Sequence, residues 1–76
     1  MALVQRLRHL SLEKAGAHLP VECTYSVILD LQGRRCLQID TYGSSGRKLP
    51  GKKSQSVRFT PVAIAQLKSI LESDFR

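Results

Sequence analysis

The chain has 76 residues, with 12 Lys or Arg, six Asp or Glu and two cysteines, and its net charge is +6 at pH 7. A single domain this short buries only about 60% of its unfolded surface, and two cysteines make no disulfide scaffold, so we expect a homodimer. No segment approaches the roughly 18 apolar residues of a membrane span, and the N-terminus lacks a signal-peptide core, which predicts a cytosolic protein with reduced thiols and no membrane partner.

The first predicted element is an amphipathic helix over residues 3–15. Leu3, Leu7 and Leu10 recur at helical spacing, and Gly16 suits the end of such a helix. We therefore divide the chain into an N-terminal helical segment, residues 1–20, and a domain at 21–76. The segment is expected to cap the sheet, to extend the dimer or to bind another protein.

Two alternating segments predict a β-hairpin at the start of the domain. Residues 22–31 are rich in β-branched and aromatic side chains, and residues 35–42 alternate between Leu37 and Ile39 on one side and polar side chains on the other. A glycine-containing turn at residues 32–34 joins them.

A further strand is predicted after a loop rich in glycine, serine and basic residues. The loop covers residues 43–53, where a Pro-Gly pair suits a type II turn and a further short strand fits. The strand over residues 54–59 places Val57 and Phe59 towards the core and Arg58 on the opposite face.

The C-terminal segment has the strongest helix pattern of the chain. Thr60 is suited to cap the helix, and Pro61 suits its first position. An apolar stripe follows that is broad for so small a sheet to cover, so its later part is the predicted dimer interface: Ile64, Leu67, Ile70 and Leu71. The predicted fold class is α+β, a curved antiparallel sheet of three or four strands followed by a C-terminal helix, with an extra N-terminal helical segment.

The positive charge is confined to the middle of the chain. Residues 31–60 contain seven basic residues and one acid, Asp40, whereas the rest of the chain sums to zero. The basic residues are Arg34, Arg35, Arg47, Lys48, Lys52, Lys53 and Arg58. Such a concentrated charge favours binding to nucleic acid over a merely solvated surface. Asp40 either pairs with a neighbouring arginine or faces solvent.

The chain resembles the transcriptional positive-cofactor-four family of single-stranded DNA-binding coactivators, chiefly from Arg35 onward. The most specific part is Lys-Leu-Pro-Gly-Lys-Lys-Ser-Gln-Ser-Val-Arg-Phe-Thr-Pro at residues 48–61, followed by Ala-Gln-Leu-Lys at 65–68, and the resemblance covers residues 22–72. It implies a dimer with grooves for single strands. By position, it assigns backbone binding to Lys48, Lys52, Lys53 and Arg58, with Arg47 beside them and Arg34 and Arg35 in the first hairpin turn.

The chain departs from this family in its aromatic residues. Ile64 and Ala65 stand where the family's helix often has a bulky aromatic, and Tyr42 is the one aromatic at the end of the second strand. Tyr42 is therefore the candidate for stacking on a base.

The sequence predicts no enzyme and no cofactor. No carboxylate pair lies in the basic segment, and the two cysteines and two histidines match no zinc-ligand spacing. The predicted function is sequence-tolerant binding of single-stranded DNA or RNA, in transcription, replication or repair. The alternative is a protein-interaction module that docks an acidic partner. Duplex binding is a third, weaker interpretation, because the strong helix has little positive charge.

Overall fold

The computed structural model describes residues 1–43 and 53–75. They form, in chain order, the strands β1 (Ala2–Val4), β2 (Cys23–Leu29), β3 (Arg35–Tyr42) and β4 (Lys53–Phe59) and the helix α1 (Pro61–Asp74). The strands make one sheet in the order β1-β4-β3-β2, and the helix contacts β3 and β4. The predicted α+β class is confirmed, as are the antiparallel pairs β2–β3 and β3–β4.

The predicted N-terminal helix is wrong. Residues 2–4 form a strand that pairs parallel with β4, so the sheet is mixed rather than wholly antiparallel. Further along, the side-chain amide of Gln66 holds both backbone groups of Leu7, with Leu7 N–H to Gln66 Oε1 at 2.8 Å and Gln66 Nε2 to Leu7 C=O at 3.3 Å. Leu3 and Leu10 are 55% and 75% exposed, so the three leucines do not form one packed stripe. A helix this short is marginal without such packing.

The first hairpin turn is built around Asp30. Its backbone N–H donates to Arg34 C=O at 2.9 Å, which leaves three loop residues, and Gly33 takes the left-handed conformation at φ 79°. This is the glycine position of a three-residue hairpin loop. The Asp30 carboxylate accepts the N–H groups of Gln32 and Arg34 at 2.9 and 2.8 Å. β2 therefore ends at Leu29, two residues before the predicted end.

The start of α1 follows the prediction closely. Thr60 has an extended backbone, and its hydroxyl accepts the N–H of Ala63 at 3.3 Å, which caps the first turn, with Pro61 following as the first helical residue. The Thr60 N–H also donates to Val4 C=O at 3.1 Å. The helix start is thus attached to β1 as well as to β4. Within the part of the chain that the structure describes, no helix is long and apolar enough to cross a membrane.

The pairing register defines two faces of the sheet. Leu37 lies opposite Phe59 and Ile39 opposite Val57, and we call the side that carries them the apolar face. Side chains alternate along a strand, so the intervening residues lie on the other side, which we call the polar face. It is centred on Gln38, Asp40, Ser56 and Arg58. The predicted placement of Arg58 opposite Val57 and Phe59 is confirmed.

Candidate nucleic-acid interface

The polar face is organised by pairs across β3 and β4. Gln38 lies opposite Arg58, and Asp40 lies opposite Ser56. Directly opposed side chains on one sheet face are close enough to interact. Gln38 and Asp40 are 9% and 4% exposed, so the longer side chains around them form most of the accessible surface.

Arg58 is held in place by a neutral partner. Its Nε and Nη2 both donate to Gln38 Oε1, at 3.1 and 2.7 Å. A guanidinium has five N–H donors, and these two contacts leave the other three for a ligand. An amide oxygen orients Arg58 without neutralising it, so Arg58 presents a full positive charge on the polar face.

Asp40 is the acceptor at the centre of the polar face. It accepts hydrogen bonds from the Ser56 hydroxyl and from Gln38 Nε2, and it pairs with Lys53 Nζ at 3.3 Å. The Ser56 hydroxyl foremost, then the Gln38 amide and the Lys53 ammonium, hold the pKa of Asp40 below its usual value, against the opposing effect of desolvation. Among residues 1–43 and 53–75, Asp40 is buried and its ion-pair partner is Lys53 rather than an arginine. It positions Lys53, whose side chain remains 57% exposed.

Arg34 lies at the hairpin-turn end of the same face. Its Nε pairs with Asp30 Oδ2 at 2.8 Å, and its side chain is 49% exposed. The Arg34 backbone N–H foremost, then the Arg34 guanidinium and the Gln32 N–H, lower the pKa of Asp30, which desolvation opposes. Arg34 and Arg58 line one open cleft of about 350 Å³, together with Leu3, Leu29, Asp30, Leu31, Gln32 and Cys36. The cleft combines two guanidinium groups with apolar walls, a combination that suits a phosphate joined to a base.

Tyr42 lies at the opposite end of the polar face from Arg34. Its hydroxyl and the Thr24 hydroxyl are within hydrogen-bonding distance at 3.0 Å, and the side chain is half-buried. Thr24 lies opposite Asp40 across β2 and β3, which places this contact on the polar face. The hydroxyl contact fixes the ring beside Lys53, its pairing partner on β4.

The remaining predicted site residues do not all join this surface. Arg35 lies opposite Leu29 and therefore on the apolar side of the sheet, away from Arg58. Arg47, Lys48 and Lys52 lie outside the described residues. On the helix, the predicted dimer residues Ile64 and Leu67 are half-buried, whereas Ile70 and Leu71 are 37% and 48% exposed.

Gln38 and Ser56 are the two site residues that the sequence did not single out. Neither is charged, and the family resemblance assigned a role to neither, although Ser56 lies within the segment at 48–61. Their role follows from position alone, since Gln38 sets the direction of Arg58 and Ser56 holds the Asp40 carboxylate. Strand alternation puts them on the same face as Arg58, but only the register between β3 and β4 makes them its neighbours.

Within residues 1–43 and 53–75, no three His, Cys, Asp or Glu side chains lie together as a metal site.

Comparison with protein families, with curated proteins and with solved structures finds no match for this chain. The interpretation of the polar face therefore depends on its own geometry and charge.

Proposed function

We propose that the chain binds single-stranded nucleic acid with little sequence preference, and that the polar face is the binding surface. The observation that carries this proposal is the placement of Arg34, Lys53 and Arg58 on one side of the sheet, with the apolar strand residues on the other. A one-sided row of cations on a sheet is what a flexible polyanion requires.

Each of the three cations offers donors to a phosphate. Arg58 keeps its charge because Gln38 is neutral, whereas Lys53 and Arg34 share theirs with Asp40 and Asp30. Lys53 and Arg58 are five residues apart on β4, about 17 Å along an extended strand, so they contact different phosphates of a bound chain. Further charge comes from Arg47, Lys48 and Lys52, which connect β3 to β4 in the sequence.

The shape of the described surface favours single strands over duplexes. Reading a duplex usually requires an element that enters the major groove, most often a basic helix. Residues 61–74 carry one basic side chain, Lys68, and two acids, Glu72 and Asp74. A sheet that bears cations, with Tyr42 available at one end for stacking, instead suits a flexible strand with accessible bases.

The proposal includes kinship with the positive-cofactor-four family. The resemblance over residues 22–72 implies three antiparallel strands followed directly by a helix. The order β2, β3, β4 and α1, with the helix beginning at Pro61, agrees with that implication. The added β1 and the scarcity of aromatic residues distinguish this chain from the family pattern.

Fluorescence anisotropy tests the proposed function. One labelled sequence is titrated as single-stranded DNA, as duplex DNA and as RNA, each at two salt concentrations. We expect the single strands to bind more tightly than the duplex. We also expect affinity to fall with salt, by a slope of about −0.7 for each phosphate contact. Equal or tighter duplex binding, or binding that does not depend on salt, would refute the proposal.

A further inference from the structure

The free edge of β2 is an unprotected part of the described sheet. β2 pairs with β3 on one side and is the last strand of the sheet on the other. Its seven residues, Cys-Thr-Tyr-Ser-Val-Ile-Leu, include no charge, proline or glycine. Stable proteins usually interrupt an exposed edge with such residues, because an uninterrupted edge pairs with another strand.

The hydrogen bonds to β3 show which backbone groups of β2 point outward. Tyr42 N–H donates to Glu22 C=O at 3.0 Å, and Asp30 N–H donates to Arg34 C=O at 2.9 Å. The even-numbered residues from 22 to 30 therefore direct their backbone groups at β3. Because the direction alternates along an antiparallel strand, the odd-numbered residues direct theirs away from the sheet.

The same odd-numbered residues carry exposed apolar side chains. Tyr25, Val27 and Leu29 are 77%, 65% and 66% exposed. Among the described residues, only Cys36 and Ala63 are buried apolar side chains. The core formed by the described residues is smaller than an independent domain usually has, which favours further burial against a second surface.

We propose that β2 pairs antiparallel with β2 of a second copy of this chain, which gives a continuous eight-stranded sheet. One register uses all seven residues of the strand, with Ser26 opposite Ser26 of the second copy on the twofold axis. In this register Tyr25 lies opposite Val27 of the second copy, and Cys23 lies opposite Leu29. Aromatic and β-branched side chains make favourable cross-strand pairs, and here each pair occurs twice by symmetry.

The absence of charge on β2 favours a second copy as the occupant. β2 carries no charge, so pairing it with itself brings no like charges together within the strand. At each end Glu22 meets the Asp30–Arg34 ion pair of the second copy, where Arg34 offsets the repulsion between the carboxylates. The basic residues of the segment at 31–60 lie outside β2 in the sequence, and among the described ones Arg34 is the one that this register brings to the ends of the contact.

This arrangement has a consequence for binding. The twofold axis runs perpendicular to the joined sheet, so the polar faces of both copies lie on the same side. If the proposed function holds, the dimer presents one surface with two sets of Arg34, Lys53 and Arg58. The pairing depends only on the uncharged edge of β2 and its exposed side chains, so it can fail or stand independently of the proposed function.

A cysteine crosslink tests the register. In the C23S background, S26C brings two thiols together across the axis in a non-hydrogen-bonded pair, where the Cα atoms are about 4.5 Å apart, within disulfide range. We expect C23S/S26C to form a covalent dimer under mild oxidation. The matched variant C23S/T24C should stay uncrosslinked. In this register Thr24 lies opposite Ile28 of the second copy, so the two introduced thiols are too far apart along the strands to react. Equal crosslinking of the two variants would overturn the proposal.

Sedimentation equilibrium, without nucleic acid, tests the surface. Wild-type protein should have a mass near twice 8.5 kDa, and V27K should reduce it to that of one chain. Val27 is 65% exposed, so the V27K protein should keep the circular dichroism spectrum of the wild type. L71K lies on the helix stripe that the sequence predicts as the dimer interface, so it tests that alternative, and it should leave a dimer built on β2 intact. A monomeric wild type, or a V27K variant that remains dimeric while L71K dissociates, would overturn the proposal.

Discussion

The two faces of the β3–β4 pair share one backbone but differ in what their side chains do. On the apolar face, Leu37 and Phe59 are opposed across the strands, and both are half-buried. On the polar face, Gln38 and Arg58 occupy the equivalent positions one residue away, and they are joined by hydrogen bonds. Strand alternation therefore separates the packing residues from the proposed binding residues, so substitutions one residue apart should affect different properties.

The largest expected effect is on the apolar face. F59A should lower the free energy of unfolding by about 2 kcal/mol, less than for a fully buried phenylalanine because Phe59 is only half-buried. V62A is the control, since Val62 is 56% exposed on α1, and it should change stability by no more than about 0.5 kcal/mol. Urea denaturation measures both. Equal effects for the two variants would show that Phe59 contributes no more to packing than an exposed side chain.

The second prediction concerns the basic end of the polar face. Replacing Lys52 and Lys53 with alanine should weaken single-strand binding at low salt and flatten the salt slope by roughly 1 to 1.5, because two phosphate contacts are lost. Stability should be nearly unchanged, since the Lys53 side chain is 57% exposed and partly exposed ion pairs contribute little to it. The control replaces Arg6 and Arg8, which are exposed and lie beyond β1. A lysine variant with wild-type slope and affinity, beside an Arg6/Arg8 variant that loses both, would contradict the assignment.

A smaller effect on the stability of the fold is expected when acid protonates the Asp40 carboxylate. The pKa of Asp40 is lower in the folded chain than in the unfolded chain, so its ionised form stabilises the fold above the unfolded value of about 3.9. That contribution is lost as the pH falls through the lower, folded pKa. D40N should therefore be less stable than wild type at pH 7, and the difference should shrink below about pH 4. Urea unfolding at pH 7, 5 and 3 checks this, and a difference that is the same at all three would exclude it.

Sequence reasoning predicted the parts of the fold that depend on local pattern. The alternation in residues 35–42 and the Thr60-Pro61 helix start are local features, and both appear in the structure. The helix predicted for the N-terminal segment was wrong because distant partners, Thr60 and Gln66, decide the conformation of that segment. The spacing of leucines cannot reveal those partners. Long-range pairing overrides a weak helical preference in so short a segment.

The candidate site was predicted mainly by charge, and strand alternation predicted its geometry only for Arg58. Counting basic residues in the segment at 31–60 treated Arg35 and Arg58 alike, although the register places them on opposite sides of the sheet. The same count could not foresee Gln38, because a neutral residue gains its role only by lying opposite Arg58. The register between strands is what separates these residues, and it depends on the folded pairing.

The salt dependence of single-stranded DNA binding by R58A and R35A tests the central claim most directly, because each variant removes one arginine, from opposite faces. We predict that R58A binds about fivefold more weakly at low salt, the loss of about 1 kcal/mol, and flattens the salt slope by about 0.7, while R58K restores the slope. R35A should remain within about twofold of wild type, with an unchanged slope. Equal losses in R58A and R35A, or a larger loss in R35A, would contradict a binding surface confined to the polar face.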